Sequence, residues 1–335
     1  MKTDAISIVE AAYDISGDDA AWLRQLIDRA TPALDRGLGM LAWRYRIDGA
    51  FRKEVEVRGP GDPRALDAMA EAPNRYNSEA METCAGHALR TGAQMFGLSD
   101  REAEAFPPFV DVFHPAGVRD GLRLNALDAS GCGVMLVAPQ PDFARPSRAV
   151  TSRWDRIAVH LAAGARLRDA LGAGLNPLSG ASAILDPNGS VLHVDAEAKP
   201  RLMRDELRQA ARTIDRARSN ARSNEDEALE LWQGLVAGRW SLIEQFDSDG
   251  RRFMVARRND PQVTDPRALS LRERQVLAYV AMGHPAKLIA YALGVAPSLV
   301  SLTRRTAMRK LGLKTTVDVV RLFAGPPGSP APQDF

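Results

Sequence analysis

The chain has 335 residues, 45% apolar, 26% charged and 6% aromatic, and 44 Lys and Arg against 42 Asp and Glu leave a formal charge of +2. That length accommodates two or three domains with real cores, and no stretch approaches the roughly 18 consecutive apolar residues of a membrane span. Two cysteines, Cys84 and Cys132, exclude a disulfide framework, and Met1-Lys2-Thr3-Asp4 lacks the basic-then-apolar pattern of a signal peptide, so a cytosolic chain with no membrane partner is expected.

The first predicted element is a helix starting at Ser16 to Asp19 and ending near Asp35, with Trp22, Leu23, Leu26 and Ile27 on one face. Gly37 to Ile47 reads as a strand, and Phe51 to Val57 as its partner across Asp48-Gly49. Helices are expected at about 62–72 and 77–91. Leu122 to Leu127 and Cys132 to Ala138 form a second strand pair around Ser130-Gly131, and a helix from Ala149 to about Leu171 closes the unit. This succession resembles a GAF-like α+β sensor domain, here residues 1–175. A pocket in such a domain lies between the sheet and its helices, with Met40, Trp43, Tyr45, Phe109, Phe113 and Met135 as candidate liners for a small molecule of unspecified identity. All six fit a plain hydrophobic core better than a pocket lining.

A second unit is expected over 176–258. Ala183 to Leu185 and Val191 to Val194 flank Asn188-Gly189, a strong hairpin signal, and Trp240 to Phe246 and Arg252 to Ala256 flank Asp249-Gly250. Helices fill 195–218 and 225–237 between them. Two hairpins bracketing helices fit half of a PAS-like fold, or an elaboration of the first domain. Arg204, Arg208, Arg212 and Arg216 lie at i, i+4 spacing, which fits a solvated helix face better than a second DNA surface. Residues 259–266, with Pro261 and Pro266, read as a linker.

The charge is not spread evenly. Residues 267–322 hold ten basic residues against Glu273 and Asp318, a net +8 that leaves about −6 for the remainder. Positive charge gathered on one small module is the electrostatic footprint of a nucleic-acid binder. Ser270 and Glu273 make a capping box for a helix to Met282, and Gly283 stops it. Pro285 starts a second helix with Leu288, Ile289, Ala292 and Leu293 on its apolar face, and Gly294 supplies a sharp turn. Pro297 opens a third helix to Leu311, and Thr316 to Phe323 make a fourth. On the third helix Val300, Thr303, Ala307 and Leu311 share a core-facing stripe. Ser298, Ser301, Leu302 and Arg305 fall on another, in the half that enters the major groove of a helix-turn-helix complex. Arg305 suits a bidentate contact to guanine, while Lys287, Arg304, Arg309, Lys310 and Lys314 are placed for phosphates.

This all-α four-helix segment resembles the LuxR-type (NarL/FixJ-type) helix-turn-helix of bacterial transcription regulators. The landmarks are Leu269-Ser270, Arg272-Glu273-Arg274-Gln275-Val276-Leu277, Gly283, Lys287, Ile289-Ala290, Leu293-Gly294-Val295, Val300 and Arg309-Lys310-Leu311-Gly312. The resemblance implies double-stranded DNA as partner, a homodimer joined through Val317, Val320 and Leu322, and work alongside RNA polymerase. The family's Ser-Pro and Thr-Val-Lys become Ala296-Pro297 and Leu299-Val300-Ser301 here, which removes one positive charge from the groove-facing surface. That loss keeps a second reading open, an adaptor whose helix-turn-helix docks a protein. Promoter-reading helices of sigma factors open on a similar run, but nothing before residue 260 supplies their second promoter-reading region.

Signal-acceptor chemistry found with such modules is not evident. A receiver domain needs an acidic pair after its first strand, whereas Asp18-Asp19 sits at a helix start and no strand–helix series follows. Lactone sensors of the superfamily carry a spaced tryptophan, tyrosine and aspartate set; Trp43, Tyr45 and Asp48 are too close together to match. Cys84-x-x-His87 lacks further ligands, His114, His160 and His193 are isolated, and there is no phosphate-binding loop or nucleophile elbow. No catalytic residues, metal or cofactor are expected. The tail from 324 to 335, rich in Gly and Pro, reads as disordered.

Overall fold

The computed structural model describes residues 4–47, 51–75, 88–127, 132–172, 178, 180–196, 198–232, 235–236, 240–246, 251–258, 269–311 and 313–324. It divides into two compact units, residues 1–165 and 166–335. The linker and the segments carrying Asp48, Cys84, His87 and 325–335 lie outside the described residues.

The first unit is built on strands β1 (Gly39–Ile47), β2 (Phe51–Gly61), β3 (Leu89–Thr91), β4 (Asp120–Leu127) and β5 (Cys132–Gln140). They form an antiparallel sheet in the order β2-β1-β5-β4-β3. Every residue of β5 is buried, as both faces of a central strand are covered here. Because side chains alternate along a strand, β1 sends Leu41, Trp43 and Tyr45 to one face and Met40 and Ala42 to the other.

The second face meets α2 (Asp19–Leu34), whose Asp18 caps the helix by accepting from the Ala21 amide. The predicted stripe of Trp22, Leu23, Leu26 and Ile27 is fully buried. A shorter helix, α1 (Ala5–Ala12), absent from the sequence reading, packs on α2, and the Trp22 indole donates to the Ala11 carbonyl at 3.0 Å. Behind the first face lies α3 (Pro63–Arg75), followed in the chain by short helices α4 (Gly92–Met95) and α5 (Asp100–Ala105) and by a tight turn over Phe109–Phe113. The helix expected over 77–91 is corrected at its end, since Leu89–Thr91 pairs with β4 as the edge strand. Helix α6 (Arg148–Leu171) follows β5 in the chain, and its residues up to Ala165 belong to this unit.

The second unit has its own sheet of β6 (Ala181–Leu185), β7 (Val191–Val194), β8 (Leu235–Val236), β9 (Trp240–Phe246) and β10 (Arg252–Arg258), ordered β7-β6-β10-β9-β8. Counted from the start of each sheet, both orders read 2-1-5-4-3. One strand order therefore occurs twice, without a repeat visible in the sequence. The second pair of hairpins belongs to a sheet of its own. Between its hairpins, α7 (Arg201–Arg218) buries Leu207, Ala210, Ala211, Ile214 and Ala217, and α8 (Glu225–Leu231) follows, capped by Asn224. The helix expected over 225–237 stops at Leu231, and Leu235–Val236 is strand instead. Arg208, Arg212 and Arg216 are engaged locally by Asp205, the Asn188 carbonyl and Glu227.

The remaining elements among this unit's described residues are the four helices α9 (Leu271–Ala281), α10 (Ala286–Leu293), α11 (Pro297–Lys310) and α12 (Thr316–Ala324). The Ser270–Glu273 capping box forms in both directions, at 3.2 and 2.7 Å. Val276, Leu277, Ile289, Leu293 and Val300 make a core in which each side chain contributes about 1.5–3 kcal/mol. Gly294 ends α10 in the left-handed conformation, with φ 62, which turns the chain directly into α11.

Candidate nucleic-acid interface

α11 separates into an inner and an outer face, as its sequence requires. Val300, Thr303 and Ala307 are buried against the other helices, and Leu311 just past the end is half-buried. Ser298, Ser301, Leu302 and Arg305 are all exposed, at the N-terminal half that a helix-turn-helix inserts into the groove. Leu302 is 57% exposed, a large apolar side chain that the module's own core does not use. The Ser301 hydroxyl donates back to the Pro297 carbonyl at 3.2 Å, so its lone pairs rather than its proton face outward.

The cations sit around this face. Lys287 on α10, Arg304 and Arg309 on α11 and Lys314 after it are exposed; Lys310 occupies the last position of α11, and its side chain lies outside the described set. The loop between α11 and α12 is held by Asp318, which accepts from the Lys314 and Thr315 amides at 3.0 and 2.7 Å. On α12, Val317 and Val320 are 55% and 41% exposed while Val319 is buried. Leu322, the third residue expected at a two-fold contact, has a side chain outside the described set. One bent helix pair, Ala286–Leu293 with Pro297–Arg309, is long and apolar enough to suit a membrane, but it is broken by 102°. Its buried apolar residues, Leu288, Ile289, Leu293 and Val300 among them, belong to the module's own core. No single helix among the described residues is long and apolar enough to cross a membrane.

The profile of bacterial regulatory proteins, luxR family, matches residues 267–323. These residues are a LuxR-family helix-turn-helix domain. The match covers the same segment that carries the +8 charge. No curated protein matches the chain. Among solved structures, that of Escherichia coli SdiA is similar at 10% identity and a TM-score of 0.30, over 91% of this chain and 90% of that one. At that score the likeness fixes neither an arrangement nor a ligand.

Away from the LuxR-family domain, the structure brings five of the six candidate pocket residues together. Trp43, Tyr45, Met135, Phe109 and Phe113 belong to one buried cluster on the first face of the first sheet, with Leu66 and Met69 of α3. Met40 does not join them. Its neighbour relation along β1 puts it on the opposite face, with its sulfur 3.6 Å from the Thr31 hydroxyl. Phe109 and Phe113 stack edge to face at 5.3 Å.

Polar groups that the sequence reading missed stand in the same cluster. Tyr45 donates its hydroxyl to Asn125 Oδ1, reached through the register that sets Tyr45 opposite Gly133 and Asn125 opposite Met135. The Trp43 indole Nε1 is buried with no hydrogen-bond partner among the described residues. At its edge the Lys53 ammonium lies 5.4 Å from the Trp43 ring centre and 2.5 Å from Glu56. Burial pushes the Glu56 carboxyl up, but hydrogen bonds from Lys53 and Arg58 outweigh it and hold the group below its ordinary value. Hairpin register, which pairs Trp43 with Glu56 and Tyr45 with Lys53, was the available signal.

Proposed function

We propose that the protein is a sequence-specific DNA-binding transcription regulator that works as a homodimer in the cytoplasm and performs no catalysis. The observation that carries this reading is the LuxR-family domain whose groove half, Ser298, Ser301, Leu302 and Arg305, is exposed and ringed by cations. Arg305 reads a guanine edge, Leu302 packs on a thymine methyl, and Lys287, Arg304, Arg309, Lys310 and Lys314 hold phosphates. Two copies meet through the exposed apolar residues of α12, Val317 and Val320 with Leu322, so that two recognition helices reach successive major grooves. The two sheet units sense a signal, and the first takes a small molecule on the face lined by Trp43, Tyr45, Phe109, Phe113 and Met135. An indole N–H without a partner among the described residues, set in an apolar cluster, supports a ligand that brings a hydrogen-bond acceptor. RNA polymerase is the partner through which binding would alter transcription.

Selection of genomic fragments by the full-length protein tests this. The expected result is a two-fold-symmetric site, with Arg305→Ala costing about 1–3 kcal/mol there and relaxing one base position. Equal losses on selected and random duplexes would remove the base-reading role. One observation favours a second reading, in which the module docks a protein: Ser301 spends its proton on its own helix and stands where the family has a lysine. Binding that ignores salt would favour it.

A further inference from the structure

The module is not detached from the second sheet. Tyr291, on α10, donates its hydroxyl to the Leu229 carbonyl of α8, 62 residues earlier in the chain, and α10 packs against β8. Leu229 is among the last four residues of α8, whose carbonyls lack partners inside a helix and carry its partial negative charge. The tyrosine therefore satisfies an acceptor at the negative end of a helix that already holds Glu225, Asp226, Glu227 and Glu230.

The strip of α10 that makes this contact is the one a DNA backbone would need. Leu288, Ile289, Ala290, Ala292 and Leu293 are buried, which leaves Lys287 exposed and Tyr291 half-buried, four residues apart on one face. In a helix-turn-helix complex the first helix crosses the backbone, so this narrow strip faces phosphates. A helix rich in carboxylates presents the same sign of charge as those phosphates.

We propose that the Tyr291–Leu229 contact is a latch: α8 occupies the backbone-facing strip of α10, and the module must release Leu229 to lie on DNA. The proposal rests on the reading of residues 267–323 as DNA-binding. DNA binds only the open form, so its apparent affinity is reduced by the closed fraction. Any signal that shifts α8 then changes DNA affinity without touching the recognition helix.

Tyr291→Phe removes the hydroxyl and keeps the ring. Full-length wild type and variant are bound to a random-sequence duplex at low salt, and hydrogen exchange of residues 224–232 is followed with and without the duplex. The expected result is binding roughly two- to ten-fold tighter for the variant, the change one neutral hydrogen bond makes in an equilibrium constant, with faster exchange in 224–232 of wild type once DNA is bound. The double variant Asp226→Asn, Glu230→Gln weakens the latch from the α8 side, leaves the module unchanged, and is expected to move affinity the same way. Equal affinities with unchanged exchange would overturn the latch and leave the DNA reading standing. Weaker binding by Tyr291→Phe would make the hydroxyl a phosphate contact and overturn it too. Absence of binding by every protein, with helical content intact, would remove both.

Discussion

The Tyr13 hydroxyl lies 3.0 Å from Nδ1 of His160, joining the end of α1 to α6 inside the first unit. His160 is buried, and burial pushes its pKa down from 6.5 to about 3. A neutral imidazole accepting from the tyrosine is the form that fits. The unfolded chain protonates this histidine below 6.5 and the folded one does not. Its contribution is therefore complete above 6.5 and is lost as pH falls from there towards 3, by about 1.4 kcal/mol per unit. Between pH 7 and 5.5 the wild type is expected to lose about 1 kcal/mol more than His160→Gln, measured by urea unfolding. Parallel losses in the two proteins would contradict the buried neutral histidine.

A second contact between the same helices concerns Gly164. A Cβ built there would stand 2.0 Å from the Ala12 carbonyl oxygen, which is backbone and cannot rotate away. Gly164→Ala is expected to force α1 and α6 apart at a cost of about 1–3 kcal/mol, visible as a lower thermal midpoint. An unchanged midpoint would mean that the two helices do not pack this closely.

Trp22 and Trp43 are each 1% exposed in the same unit, but only Trp22 spends its indole N–H, on Ala11. Trp22→Phe removes one of two donors to the Ala11 carbonyl, which keeps the Asp14 amide at 3.2 Å, whereas Trp43→Phe removes an N–H without a partner among the described residues. The first is expected to destabilise by about 0.5–1.5 kcal/mol more than the second in urea. Equal costs would show that Trp43 has a partner in solution.

On α11, Leu302→Ala and Val300→Ala separate surface from core. Leu302 is exposed and should change stability by no more than about 0.5 kcal/mol while weakening binding to the selected site. Val300 is 1% exposed, and its truncation is expected to cost about 2 kcal/mol. A stability loss at Leu302 comparable to that at Val300 would place it in a packed interface of the free protein.

The helix-turn-helix was legible nearly residue by residue, because capping box, glycine turn and apolar stripe all agree with one another. Strand pairs announced by Asp48-Gly49, Asn188-Gly189 and Asp249-Gly250 were legible for the same reason. The short edge strands Leu89–Thr91 and Leu235–Val236 were not, since two or three residues carry no measurable period and the preceding helical pattern ran on through them. Helix α1 escaped because Ile6, Ile8 and Val9 bury it on several sides and leave no polar stripe. Met40 was grouped with Trp43 and Tyr45 by composition, although strand alternation alone assigns it to the other face. The Tyr45–Asn125 and Tyr291–Leu229 pairs join residues too far apart in the chain for any local pattern to reveal.

If residues 267–323 bind DNA through phosphates and base edges, affinity for a selected duplex falls steeply as salt is raised. Five cations per protomer, each releasing about 0.9 of a counterion, predict a slope of log K against log salt steeper than about −4, and Lys287→Ala should flatten it by about 0.9 for each protomer bound. A slope near zero, unaltered by Lys287→Ala, would mean that these residues do not hold DNA phosphates.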